Sequence, residues 1–141
     1  MKIKYKVYPD AYGPPGSFVY IVMLDIQIAL PQHNAPRTRR FEAIIDSGAT
    51  RTLLHADFAR HLGLEIDAGE VETTQGISGI EQIYLHDITV YLPGGPVKTK
   101  AGFKDKLPVA GLLGMKGFFE FFKITFHSDQ KICEIERNYQ A

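Results

Sequence analysis

The chain has 141 residues, 45% of them hydrophobic, with 16 basic and 16 acidic side chains and a formal net charge of zero. That is enough apolar material for one cored domain, and a single domain over residues 1–141 is expected. Balanced charge gives nucleic acid or an anionic membrane nothing global to attract, and the local cluster Arg37, Arg39 and Arg40 beside Pro36 reads as a solvated loop.

Cys133 is the only cysteine, so no internal disulfide forms and nothing points to an oxidising compartment. The stretch from Met1 to Lys6 lacks the apolar core of a signal peptide. The apolar run from Phe18 to Leu30 is too short to span a bilayer and contains Asp25 and Gln27. The default expectation is a soluble, cytoplasmic protein with no nucleic-acid or membrane partner.

In chain order, Lys2 to Tyr8 alternates Lys with Ile, Tyr and Val, which predicts an edge strand. Pro9 and Gly13-Pro14-Pro15-Gly16 stop it. Phe18 to Ala29 predicts one long, mostly buried strand, and Leu30 to Thr38 a loop. Phe41 to Ile45 is a strand again, ending at Asp46-Ser47-Gly48, and a further strand restarts between Arg51 and Leu54. Leu54, Phe58 and Leu62 recur every four residues, so a short helix fits Ala56 to Leu62, with Gly63 where a helix-ending glycine belongs. Val71 to Thr74 and Ile80 to Leu85 flank Gln75-Gly76-Ile77-Ser78-Gly79 as a hairpin. Asp87 to Leu92 and Val97 to Phe103 are separate strands around Pro93-Gly94-Gly95-Pro96. Leu112-Leu113-Gly114 leads into a short helix around Lys116 to Glu120. A last hairpin joins Phe122–Phe126 to Ile132–Glu136. Many short strands with one or two short helices predict an all-β domain, closed or sandwich-like.

Asp46 is the candidate for chemistry. It follows the apolar strand end Ala43-Ile44-Ile45, and Gly48 lets the backbone bend its N–H groups toward the carboxylate. Taken alone, Asp-Ser-Gly is ordinary turn chemistry. In its surroundings it is more: Ile44-Ile45-Asp46-Ser47-Gly48-Ala49 resembles the active-site signature of retropepsin-like aspartic peptidases. Leu107-Pro108-Val109-Ala110-Gly111-Leu112-Leu113-Gly114 resembles their second hallmark, two apolar residues and a glycine before a short helix. Gly76-Ile77-Ser78-Gly79-Ile80, between the two, resembles their glycine-rich flap tip. The resemblance covers Phe18 to Glu136 and departs from the family at Lys116, where relatives often carry Arg or Asp.

The resemblance implies a closed β-barrel with a flap hairpin and an aspartic endopeptidase that needs no cofactor and no metal. The five histidines fit that, since none has metal-ligand spacing. Such chemistry holds one water between two carboxylates about 3 Å apart that share a proton. This sequence has one such motif, so the second Asp46 is expected from a symmetry mate in a homodimer. Ser47 and Gly48 are expected to support the loop, Ser47 by hydrogen-bonding across the axis. Gly76, Ile77, Ser78, Gly79 and Ile80 are expected to close over a polypeptide substrate, and Val109 and Leu112 to line apolar subsites. In the family a C-terminal strand helps form the dimer interface. The competing expectation is an inactive dimerisation or peptide-binding module of the same fold, motivated by Lys116.

Overall fold

The computed structural model of the chain describes residues 1–76 and 79–138, with the backbone alone at 75 and 76. In chain order the strands are β1 (Lys2–Lys4), β2 (Lys6–Pro9), β3 (Phe18–Ile21), β4 (Met23–Ala29), β5 (Phe41–Ile45) and β6 (Leu53–His55), then β7 (Glu70–Gly76), β8 (Gly79–Leu92), β9 (Gly95–Lys104), β10 (Gly111–Leu113), β11 (Phe122–His127) and β12 (Ile132–Arg137). One helix, α1 (Ala56–His61), follows β6, and 3-10 turns occupy Ile66–Ala68 and Phe119–Phe121.

Six strands close into a barrel in the order β4-β5-β10-β6-β9-β8, with β8 returning to β4 through Gln27↔Tyr91, Ile28↔Val90 and Ala29↔Thr89. Closure leaves these strands no free edge. The barrel interior is built by strict alternation. Leu24, Ile26 and Ile28 of β4 and Phe41, Ala43 and Ile45 of β5 are all buried in one cluster with Ile88, Val90, Ala101, Phe103 and Leu113. α1 packs on it through Phe58, whose ring stacks on Phe41 at 3.9 Å between centroids. Its end follows the glycine rule: Gly63 has φ +78°, its N–H donates to the Arg60 carbonyl, and the Leu64 N–H donates to Ala59.

The centre of the sheet has a threaded geometry. β10 lies between β5, which it parallels (Leu112↔Ile44, Leu113↔Ile45), and β6, which it opposes (Gly111↔Leu54, Leu112↔Leu53). The loop joining β5 to β6 therefore wraps around the end of β10. Gly114 makes the wrap possible, because a side-chain carbon there would lie 2.6 Å from the Arg51 carbonyl oxygen and 2.8 Å from that of Ala49. The fully buried Thr52 locks the crossing: its Oγ1 accepts from the Gly114 N–H at 3.1 Å, and its N–H donates to the Lys116 carbonyl at 2.8 Å.

Four local expectations are corrected. Lys2 to Tyr8 is two strands, because the Tyr5 N–H turns aside to the Lys131 carbonyl; β1 then pairs with β12 in a β1-β12-β11 sheet, and β2 with β3. Phe18 to Ala29 is broken at Val22, whose carbonyl accepts from the Ile45 N–H at 2.9 Å. β3 is not buried, and Phe18 and Tyr20 are exposed. Asp87 does not start a strand but lies inside the 14-residue β8, whose buried face changes side between Leu85 and Ile88. The helix expected around Lys116 to Glu120 is only the 3-10 turn at Phe119–Phe121, because Gly117 sits at φ +96° and the Met115 and Lys116 N–H groups donate to Ala49 and Thr50. Among the described residues no helix is long and apolar enough to cross a membrane.

Two expectations follow for stability and reactivity. Gly114→Ala destabilises the fold by about 3 kcal/mol, since rigid backbone rather than a yielding side chain opposes the new methyl; urea unfolding measures it, and a midpoint within error of the parent contradicts the threaded packing. Cys133 is fully buried, and burial, with Glu134 adding to it, pushes its thiol up to about 11. Its thiolate fraction at pH 8 is on the order of a thousandth. A thiol reagent at pH 8 is expected to label it only as fast as the chain unfolds.

Candidate functional site

Asp46 stands one residue past β5, with its N–H donating to the Leu113 carbonyl at 3.0 Å, so the ladder between β5 and β10 carries it into position. Its Oδ1 accepts the Gly48 N–H at 2.9 Å, and its carbonyl accepts the Ala49 N–H at 3.2 Å. The Asp46 side chain is half-buried, while Ser47 and Gly48 are exposed. A carboxylate accepting a backbone N–H across a two-residue turn is held without help from any other side chain. The loop is braced from behind by main chain: Lys116 donates to Thr50 and accepts from Thr52, and its own side chain points to solvent. The departure at Lys116 therefore leaves that brace intact.

Alternation decides what Asp46 faces. It shares the face of Ile44, and Ile44 pairs with Leu112, which pairs with Leu53. These three apolar side chains are half-buried on the side of the sheet away from the barrel core. They form a floor leading away from the carboxylate. Leu112, a subsite candidate, stands opposite Ile44 on this floor. Ile44 and Leu53 were not singled out, although the same alternation that identified β5 also assigns Ile44 a face opposite Ile45.

The β7–β8 hairpin extends beyond the barrel on this same face. β9 follows β8 only as far as Tyr84↔Phe103, and past that rung the hairpin pairs with itself from Glu72↔Ile83 to Gly76↔Gly79. Ile83 faces the floor: its side chain and that of Leu53 both lie 2.9 Å from the point where a side-chain carbon of Gly102 would stand. Gly79 closes the tip at φ +119°. Ile80 is 74% exposed on the outer face. Ile77 and Ser78 lie outside the described residues.

Val109, the other subsite candidate, stands just before β10. It lines a cavity of about 610 Å³ with Arg39, His55, Phe58, His61 and Pro108. Ala110 and His55, also in its lining, are two residues along their strands from Leu112 and Leu53, so the cavity continues the floor away from Asp46.

Sequence reading also missed Arg51 and Glu72. The Arg51 guanidinium grips the Glu72 carboxylate with Nη2–Oε2 at 2.6 Å and Nε–Oε1 at 3.2 Å. The pair joins the Asp46 loop to β7. Two further carboxylates of the hairpin are also paired, Glu70 with Lys100 at 2.9 Å and Glu81 with Lys104. The Lys100 ammonium holds the Glu70 carboxyl below the usual range.

A protein-family model described as "gag-polyprotein putative aspartyl protease" matches residues 37–119, more than half of the chain and the whole stretch from before β5 to the turn after Gly114. No curated protein sequence matches. A solved retropepsin-like aspartic protease from Rickettsia conorii is 21% identical, with a TM-score of 0.55 over 81% of this chain and 89% of that one. The EIAV protease, solved with an inhibitor, is 20% identical, with a TM-score of 0.50 over 67% of this chain and 81% of that one. The threaded barrel is thus a retropepsin fold, and the chain belongs to the gag-polyprotein aspartyl protease family.

Proposed function

We propose that the chain is an aspartic endopeptidase that works as a homodimer, with Asp46 as its catalytic residue. The observation that carries this reading is the position of Asp46. A half-buried carboxylate stands at a strand end, braced by backbone, beside an apolar floor whose far end, at Leu53, meets the β7–β8 hairpin. One chain supplies one such carboxylate. A two-fold axis through the Asp46 loops places it beside its copy. Gly48, without a side chain, lets the loops approach, and by family resemblance the exposed Ser47 hydroxyl bonds across the axis.

The two carboxylates hold one water and share one proton, because like charges so close do not both ionise. The ionised Asp46 takes a proton from the water as the oxygen attacks the scissile carbonyl. The protonated Asp46 gives its proton to the carbonyl oxygen, leaving a neutral gem-diol intermediate. As that intermediate collapses, one hydroxyl returns a proton to the carboxylate that gave its own, the C–N bond breaks, and the Asp46 that took the water's proton passes it to the departing amine nitrogen, so the pair ends with the single proton it began with.

Substrate is an extended polypeptide with apolar side chains set on Ile44, Leu53 and Leu112. The cavity beside Val109 takes a side chain further from the cut. The β7–β8 hairpin serves as the flap that excludes water. The alternative of an inactive module rested on Lys116. The main-chain bonds of Lys116 to Thr50 and Thr52 hold the loop whatever that side chain is, which favours the peptidase reading.

The purified chain is expected to cleave an unfolded protein at mildly acid pH, and Asp46→Asn is expected to lose that activity by on the order of a thousandfold or more. Sedimentation at several concentrations should give a dimer whose population tracks activity. A variant that cleaves as well as the parent, or full activity in a sample that sediments as monomer, overturns the proposal.

A further inference from the structure

We infer that Arg51 is a positioning residue for substrate binding: its fork on Glu72 is the catch that fixes the β7–β8 hairpin over the groove. The inference rests on the peptidase reading above. Both bonds of the fork come from one guanidinium to one carboxylate, a geometry that lysine does not reproduce. The Arg51 side chain is 12% exposed and that of Glu72 27%, so salt and water screen the pair far less than a surface pair.

Each end of the catch is anchored. Arg51 lies five positions after Asp46, and its main chain bridges to Lys116, while its carbonyl packs against Gly114. Its main chain is therefore fixed relative to the Asp46 loop. Glu72 lies opposite Ile83 on the face that looks at the floor. Arg51 precedes Leu53 by two, so alternation puts it on that face as well. The catch closes one side of the groove between the carboxylate loop and the hairpin.

It also sets where the hairpin can bend. Above Tyr84↔Phe103 the arm has no neighbouring strand, so the rungs from Thr73↔Gln82 to Gly76↔Gly79 depend on the arm's own pairing and on its ion pairs. Glu70–Lys100 is a solvated surface pair, with side chains 65% and 48% exposed, and it lies below the bend. Glu81–Lys104 is more exposed than the fork at its carboxylate. The fork is the more deeply buried attachment, and the arm pivots just outward of Glu72.

The test compares backbone amide exchange and steady-state kinetics in Glu72→Gln, Arg51→Lys and the charge-reversed double variant Arg51→Glu/Glu72→Arg. In Glu72→Gln, amides of Thr74, Gly76, Gly79 and Glu81, on the hydrogen-bonded rungs of the arm, are expected to exchange about tenfold faster, as for losing charge-assisted hydrogen bonds. Ile45 and Leu113 should keep their rates. KM for a peptide substrate should rise by a similar factor, with kcat changing by less than about twofold. Arg51→Lys should fall between, and the double variant should recover both protection and KM.

Exchange that is unchanged in the arm, or that rises equally throughout the barrel, overturns the inference. So does a loosened arm with an unchanged KM. Exchange is read without substrate, and the Glu72→Gln result stands even if the double variant does not fold. A parent chain that never cleaves, with the expected exchange pattern, overturns the peptidase reading and leaves the catch in place.

Discussion

The site depends on one close approach. Strand β10 passes between two strands that are joined to each other, and the joining loop must clear its end. Backbone meets backbone there with no room for a side chain at Gly114. Once the crossing forms, the positions of Asp46, Thr50, Arg51 and Thr52 are no longer independent, because hydrogen bonds tie the loop to residues 113–116 at several points. Such a loop loses little further entropy when it meets a reactant, which is what a group that must act from a fixed place requires.

The crossing explains how a carboxylate with few partners can be held precisely. Among the described residues the Gly48 N–H is the hydrogen-bond donor to it. A structural carboxylate at a buried turn is ordinarily satisfied by several donors. This one accepts a single bond, from its own turn, and among the described residues the rest of its acceptor capacity is unused. In the proposed mechanism that capacity belongs to a water and to the second Asp46. In that proposal the single chain supplies one half of the site.

Much of this was legible in the residues, and the limits have physical causes. The alternation Phe41, Ala43, Ile45 identified β5 and its end, and glycine placement identified α1's end and the hairpin. The misreadings came where one composition suits two environments. Val and Tyr make both buried strands and exposed hairpins, so Phe18 to Ile21 looked no different from Met23 to Ala29. Asp87 looked like a boundary, yet a polar residue inside a barrel strand marks the change of buried face. Arg51 and Glu72 are 21 positions apart, one on a loop and one on a strand, and no local period links them. The signal that was present is chemical: two opposite charges on the segments either side of the helix that leads from the Asp-Ser-Gly turn to the hairpin.

The hairpin's chemistry also accounts for why the floor stays open. An arm with an apolar inner face would settle on Ile44, Leu53 and Leu112, and the burial gain would keep it there. Beyond Ile83 the inner face instead carries Thr74 and Glu81, opposite each other on one rung. Its attachment includes ion pairs at the rim, with Arg51 and Lys104, outside the packing of Ile83 beside Leu53. The floor side chains are left half-buried, with apolar area still to cover. In the proposed function a polypeptide entering between them supplies that cover, so the hydrophobic gain from closing the arm appears only with substrate. In that arrangement the polar inner rung keeps the empty groove accessible, while the fork keeps the arm close enough to respond.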